Sequence, residues 1–207
     1  KDIIAILGMD ELSEEDKQTA KSVLNIPENT LAYIPLGIDT PAKHHTKNES
    51  RELLGKKLKN GINLHTQWIG CIANFYKTKG LDVLIDAMAH LHKQLPDTHL
   101  VIIGDGPERK YLEKKINNNG LDSTVHLAGY INDAQQYLLA FDLYTMSSRK
   151  EGSPYALLEA MQASLPIVAT RVGGVVSMLE KYDQALTVLP KDSISLANAM
   201  QTLLTRH

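Results

Sequence analysis

The sequence predicts an α/β protein built on a doubly wound parallel sheet with helices on both faces. Three observations carry that expectation. From about Thr66 onward a unit recurs: a short apolar run, a turn, an amphipathic segment, then another apolar run. The runs are almost continuously apolar instead of alternating, as strands covered on both faces require. Strands that alternate with helices select a parallel sheet joined by right-handed crossovers.

The stretch before Thr66 follows a different pattern. Ile3, Ile4, Ala5, Ile6 and Leu7 open the chain behind Lys1, with no initiating methionine, so it reads as a piece of a longer protein. Residues 13–24 read as a capped helix, with Ser13 and Asp16 near its start. A short strand over residues 31–34 runs into Pro35, Leu36, Gly37, Ile38 and Asp39. Residues 44–49 are polar and expected to form a loop. Lys56, Lys57 and Lys59 are best explained as a solvated face.

After Thr66 the expected strands cover residues 68–73, 100–104, 125–129, 143–146, 167–170 and 185–189. Between the first two, Leu81, Leu84, Ile85, Met88 and Leu91 recur at helical spacing and stop before Pro96. A second helix covers residues 107–119 and closes at Gly120, the residue favoured just past a helix end. Asp133 is placed to cap a short helix over residues 135–140. Ser153 is expected to cap a helix over residues 154–163, with Pro154 at the favoured first position. The last helix covers residues 193–204.

Composition narrows the function. At 207 residues, 43% hydrophobic and 22% charged, the chain can bury a sizeable core. A net charge of −2 provides no general attraction to nucleic acid or an anionic membrane, so no nucleic-acid partner is expected. The eight histidines are scattered. One cysteine, Cys71, sits in an apolar run, which excludes an internal disulfide and reads as a buried core thiol. That usage fits a reducing, cytoplasmic setting. No apolar stretch approaches the roughly 18 residues of a spanning helix, and no signal peptide is visible.

Open parallel sheets bind ligands at the carboxyl ends of their strands, where strand order reverses. The loops after the apolar runs are therefore the candidates. In Gly104-Asp105-Gly106-Pro107, Arg109 stands where a dinucleotide fingerprint needs a third glycine, and no lysine-threonine P-loop exists. A nicotinamide or ATP site is disfavoured, and a tight turn with Pro107 starting the next helix explains these residues equally well.

A second loop runs from Glu151 to Glu159. Gly152 permits close backbone approach. The amides of the following first helical turn, Tyr155, Ala156 and Leu157, suit a phosphate, together with the positive end of the helix dipole. Glu151 and Glu159 would repel that phosphate, so they suit ribose and sugar hydroxyls instead. Alternatively, Glu151 complements the helix dipole and Glu159 lies on the surface. The third loop runs from Asn74 to Gly80. Its Lys79 can reach the same crevice and neutralise phosphate oxygens, although a lone lysine is usually solvated.

Several motifs in order carry a family resemblance. Ile34 through Asp39 is close to an "IPNGVD" element, and Lys79-Gly80 with Leu84, Ile85 and Ala87 resembles "KG…LI.A". Gly104 through Glu108 and Leu121 through Gly129 match the next elements. Glu151 and Glu159 match the E-x7-E signature, and Thr170, Gly173 and Gly174 the "T..GG" that follows. This pattern resembles the group 1 glycosyltransferases, a retaining family with the two-domain GT-B fold, across about residues 21–204.

The resemblance implies a C-terminal, Rossmann-like donor-binding domain over residues 41–207. Residues 1–40 would be a linking segment from an N-terminal domain that is the natural partner. Lys79 would contact the donor diphosphate, Glu151 the transferred sugar and Glu159 the ribose. Backbone groups of Gly152, Ser153, Pro154, Tyr155, Ala156 and Leu157 would bind phosphate and sugar. Gly129, Tyr130 and Ile131 would lie against the nucleobase, with Asn74 and Gly104 completing the donor site.

There are two departures from the family pattern. Asn74 replaces a frequent arginine, which removes one charged clamp, and Ser164 replaces a common glycine. The expected partner is a nucleotide sugar, with no cofactor and no metal, because Lys79 and helix amides supply the positive charge. One well-placed donor of that kind is worth ~3–4 kcal/mol of transition-state stabilisation. Glu151 and Lys79 are the catalytic candidates, and this chain alone is expected to bind weakly and transfer nothing. The rival readings are another GT-B enzyme, such as an epimerase or phosphorylase, and a degenerate binding module. The acceptor, and any membrane contact through the absent half, stay open.

Overall fold

The computed structural model describes residues 4–7, 31–34, 38, 45–58 and 61–206. The helix expected over residues 13–24, most of the Pro35–Asp39 element and Lys59 lie outside the described residues. Strand β1 (Ile4–Leu7), which the apolar opening forms, pairs in parallel with β2 (Leu31–Ile34).

Helix α1 spans Lys47–Gly55. Then strands and helices alternate: β3 (Gln67–Ile72), α2 (Leu81–Leu91), β4 (Thr98–Ile103), α3 (Arg109–Asn118), β5 (Val125–Gly129) and β6 (Leu143–Met146). Helix α4 (Tyr155–Gln162), β7 (Ile167–Thr170), α5 (Val175–Leu179), β8 (Ala185–Val188) and α6 (Ser193–Leu204) complete the order. Strands β3 to β8 form one six-stranded sheet in the order β5-β4-β3-β6-β7-β8, every pair parallel. The expected strands are all present, with ends shifted by one or two residues.

Alternate strand residues point to opposite faces, which makes two cores. Ile69, Cys71, Leu100, Ile102, Leu143 and Val168 pack with buried residues of α2, α3 and α6. Trp68, Val101, Ile103, Tyr144, Met146, Ile167 and Ala169 pack with Leu54 of α1, Leu138, Leu157 of α4, and Val175 and Leu179 of α5. Each fully buried aliphatic side chain contributes about 1.5–3 kcal/mol. The sheet is therefore doubly wound, as the apolar runs predict.

Some local expectations need correction. Residues 44–49 are not a loop throughout, because Thr46 begins α1 through a capping box. Glu49 N–H donates to the Thr46 hydroxyl, and the Glu49 carboxylate accepts from Thr46 N–H at 2.8 Å. The T-x-x-E signature of that box was present in the sequence. Arg51, only 7% exposed, anchors α1 to the sheet. Its guanidinium donates to the Ala140 and Leu64 carbonyls and to Asp142, and lies over the Trp68 ring. Asp142 also accepts the Trp68 N–H at 2.7 Å.

Asp133 adopts a left-handed backbone and caps nothing with its side chain; residues Ala134–Ala140 form a 3-10 helix. Ser153 is not the cap of α4. The helix starts at Tyr155, with Pro154 in the capping position and no side-chain cap bond. A proline there has an extended backbone ready to enter the helix and no N–H to satisfy. Helix α3 starts at Arg109 instead of 107 but closes as expected, with Gly120 left-handed and Leu121 N–H donating back to the Ile116 carbonyl.

Candidate active site

Strand β3 has β4 on one side and β6 on the other. The chain winds outward from β3 through β4 and β5, then returns to β3's other edge as β6. Strand order therefore reverses between β3 and β6, where a crevice opens outside the carboxyl ends. The loop after β3 carries Lys79, and the loop after β6 carries Glu151.

Lys79 ends a short 3-10 turn, Lys77–Lys79, and Gly80 follows with φ 61° and ψ 25°. A Cβ on Gly80 would stand 2.1 Å from the Ser147 carbonyl oxygen. Glycine is required twice here, for the left-handed backbone and for the contact between the two loops. The Lys79 ammonium donates to both carboxylate oxygens of Glu151, at 2.7 and 2.9 Å. The Ser148 hydroxyl donates to the first of these oxygens at 2.5 Å. Glu151 is nearly enclosed, its side chain 8% exposed against 28% for Lys79.

The same loop is held from below. Thr170 donates its hydroxyl to the Ser148 carbonyl at 2.6 Å. Gly173 is left-handed at φ 48°, and a Cβ there would stand 1.9 Å from the Glu151 carbonyl oxygen. The Thr170 and Gly173 positions of the last motif thus shape the Glu151 loop.

A cleft of about 430 Å³ opens beside the pair. Lys79 and Glu151 line it with Asn74, Gly104, Tyr130, Ile131, Ser153, Pro154 and Tyr155. Its size lies within the usual range for small-molecule sites. The Tyr130 ring is 72% exposed at this cleft. Gly152, Ala156, Leu157 and Glu159 do not line it. Gly152 is exposed, and Ala156 packs against the core beneath α4. Leu157 is fully buried, and its N–H is given to the Pro154 carbonyl at 3.0 Å. Of the first-turn amides, Tyr155 and Ala156 are left without an intrahelical acceptor. Glu159 sits one turn into α4, half-buried.

Residue-level reading missed Ser148 and Arg149, although both adjoin Glu151. It also missed Ile72, Ala73, Ile103 and Ala134, which form the apolar part of the cleft. The carboxyl-end rule points to the first three, since they end β3 and β4.

Burial raises the Glu159 carboxyl above its ordinary value. Burial first, then nearby charges that include Glu159 and Glu151, holds the Tyr144 phenol well above its ordinary range. Cys71 lies under the same place: burial pushes its thiol up to about 12, with Lys79 pulling it down and Glu151 adding to the rise. Both glutamates are therefore within electrostatic reach of Tyr144 on β6. Among the described residues, no group of three or more histidines, cysteines or carboxylates could hold a metal ion.

Fold and site together define a doubly wound α/β domain whose ligand cleft lies at the switch point of its sheet. The family model described as "Glycosyl transferases group 1" matches residues 66–206. This chain belongs to that family.

Among curated relatives, it is 31% identical to the lipopolysaccharide core biosynthesis glycosyltransferase LpsE of Rhizobium meliloti (strain 1021), over 64% of this chain and 38% of LpsE. The solved structure of WaaG, a glycosyltransferase involved in lipopolysaccharide biosynthesis, superposes with a TM-score of 0.81 at 25% identity. That match covers 99% of this chain and 54% of WaaG. Anabaena Alr3699/HepE, solved in complex with UDP and glucose, matches with a TM-score of 0.73 at 25% identity, over 92% of this chain and 52% of its own. The chain spans less than half the length of the curated relatives it matches.

Proposed function

We propose that this chain binds the nucleotide and sugar of a nucleotide-diphosphate sugar, for transfer of that sugar to an acceptor with retention of anomeric configuration. The observation that carries the reading is the Lys79–Glu151 pair in a cleft at the switch point. The HepE structure, which holds UDP and glucose, supports the ligand class. Residues 41–207 are the donor-binding domain in this reading, and residues 1–40 belong to the link with another half. The acceptor meets that half, which agrees with the partial coverage of the relatives.

The chemistry follows from charge. Breaking the anomeric bond leaves positive charge on the sugar and negative charge on the departing diphosphate. Lys79 and the Tyr155 and Ala156 amides stabilise the leaving group in this scheme. Glu151 accepts from sugar hydroxyls, and Glu159 accepts from the ribose at the inner end of the site. Tyr130 and Ile131 face the base. No metal or cofactor takes part in this scheme. A cytoplasmic location belongs to the same proposal; no helix among the described residues is long and apolar enough to cross a membrane.

A second reading, a binding module without turnover, is favoured by Asn74 in place of the family's arginine. One set of measurements separates them. Calorimetric titration with UDP, GDP, ADP and their sugars should give saturable binding to the chain, weakened in Lys79→Ala. Absence of binding to every member of that panel overturns the proposal. In the full-length protein, Glu151→Ala should cut turnover far more than it weakens nucleotide binding. Donor binding with no turnover in the unsubstituted full-length protein decides for the module.

A further inference from the structure

We propose that Arg149 is a positioning residue that locks the Lys79 turn to the Glu151 loop. This rests on the donor-binding reading above and deepens it. Arg149 does not line the donor cleft. It bridges the two loops from the other side. Its backbone N–H donates to the Thr78 carbonyl at 2.7 Å. Its guanidinium donates to the Lys77 carbonyl, and to both carboxylate oxygens of Asp82 at 2.8 and 2.6 Å. Asp82 lies in the first turn of α2, immediately after the Lys79-Gly80 turn. The neighbouring Ser147 hydroxyl donates to the Lys79 carbonyl itself at 3.1 Å.

All three carbonyls of the turn, and the helix that follows it, are therefore tied to residues two to four positions before Glu151. A planar guanidinium that holds Asp82 through Nη2 and the Lys77 carbonyl through Nη1 fixes orientation as well as distance. Arg149 and Asp82 are each about three-quarters covered, so water screens the pair only in part. Lys79–Glu151 is the ion pair that joins these two loops on the cleft side, and Arg149–Asp82 is its counterpart on the other. The arrangement suits a cation that must stand at one point in the cleft: Lys79 has a flexible stem, and its turn is only three residues long. Arg149 removes the freedom of the turn before any ligand arrives.

The test is a mutant cycle on the affinity for whichever of UDP, GDP and ADP the unsubstituted chain binds best. Arg149→Ala should weaken that affinity about tenfold through misplacement of Lys79. Asp82→Asn, which leaves the arginine in place, should reproduce most of the loss, and Arg149→Lys should fall between. Adding Arg149→Ala to Lys79→Ala should cost nothing further, because coupled residues are non-additive. Thermal unfolding of each variant shows that it remains folded; a variant that does not is replaced in the cycle by Asp82→Asn.

Additive losses, or an Asp82→Asn variant that binds normally, would mean that Arg149 touches the ligand or only supports the fold, and the proposal fails. An Arg149→Ala variant that binds as well as the unsubstituted chain defeats it too. If the unsubstituted chain binds none of the three, the functional reading falls first and takes this inference with it.

Discussion

Lys79 and Glu151 are each other's counter-ions, joined by two hydrogen bonds across 72 positions of sequence. Each had a separate expected task, one on phosphate and one on sugar. In the proposed function each task begins by opening the same ion pair: an arriving diphosphate would compete with Glu151 for the ammonium, and the freed carboxylate would then be available to hydroxyls.

Opposite responses to two substitutions follow from that competition. Glu151→Gln removes the competing charge, so a bare nucleoside diphosphate should bind about three- to tenfold more tightly, as one lost charged contact allows. Lys79→Ala should weaken binding about ten- to hundredfold, the worth of one charged hydrogen bond. It should also lower stability by about 3 kcal/mol, because it strands a nearly enclosed carboxylate. Calorimetric titration and thermal melts check both, and weaker binding in Glu151→Gln would refute the competition.

Glu159 supplies a pH signature. Burial raises its carboxyl above the ordinary 4.5, so the ionised form is disfavoured in the folded state. Its contribution to stability is present at low pH and lost as pH rises through the raised value. Glu159→Gln should therefore melt no lower than the parent at pH 7, with any advantage vanishing by pH 4.5. If Glu159 accepts from ribose as a carboxylate, nucleoside affinity in the parent should fall as pH drops through that window. A flat affinity profile would remove Glu159 from the ribose.

His126 works in the other direction. Its ring stacks on His99, with ring nitrogens 3.1 Å apart, and burial depresses it from 6.5 to about 4. A depressed histidine contributes stability above pH 6.5 that is lost as pH falls toward 4. The loss attributable to it should be about 2 kcal/mol, reduced from the full linkage because the ring borders a surface pocket. His126→Gln should flatten the acid limb of a denaturation series, and an unchanged limb would contradict the assignment.

Ser164 offers a stability gain. It sits just past α4 with φ 55°, the left-handed position of a helix-closing turn. Ser164 N–H donates to Met161, and Leu165 N–H to Ala160. A serine there costs about 1 kcal/mol that glycine avoids. Ser164→Gly should raise the melting temperature by roughly 2–4 °C. No rise in a thermal melt would show that the backbone at this position carries no strain.

The two candidate loops were legible for a local reason. Each follows an apolar strand, and the Lys79 loop carries its chemistry beside a glycine that its turn requires, Gly80. The errors were local as well. A polar run hid the capping box of α1, and Ser153 resembled a helix cap that Pro154 already supplies. The bond from Leu157 N–H to the Pro154 carbonyl, and the burial of the Leu157 side chain, carry no local signal.

The sequence by itself determined the alternation of strands and helices, the parallel sheet and the two loops where the chemistry gathers. Those follow from periodicity and turn residues, which act over a few positions. The tertiary structure alone decided that Lys79 meets Glu151 and that Arg149 meets Asp82. Those contacts depend on which strand lies beside β3, and strand order arises from the packing of whole crossovers, which no short stretch of chain encodes.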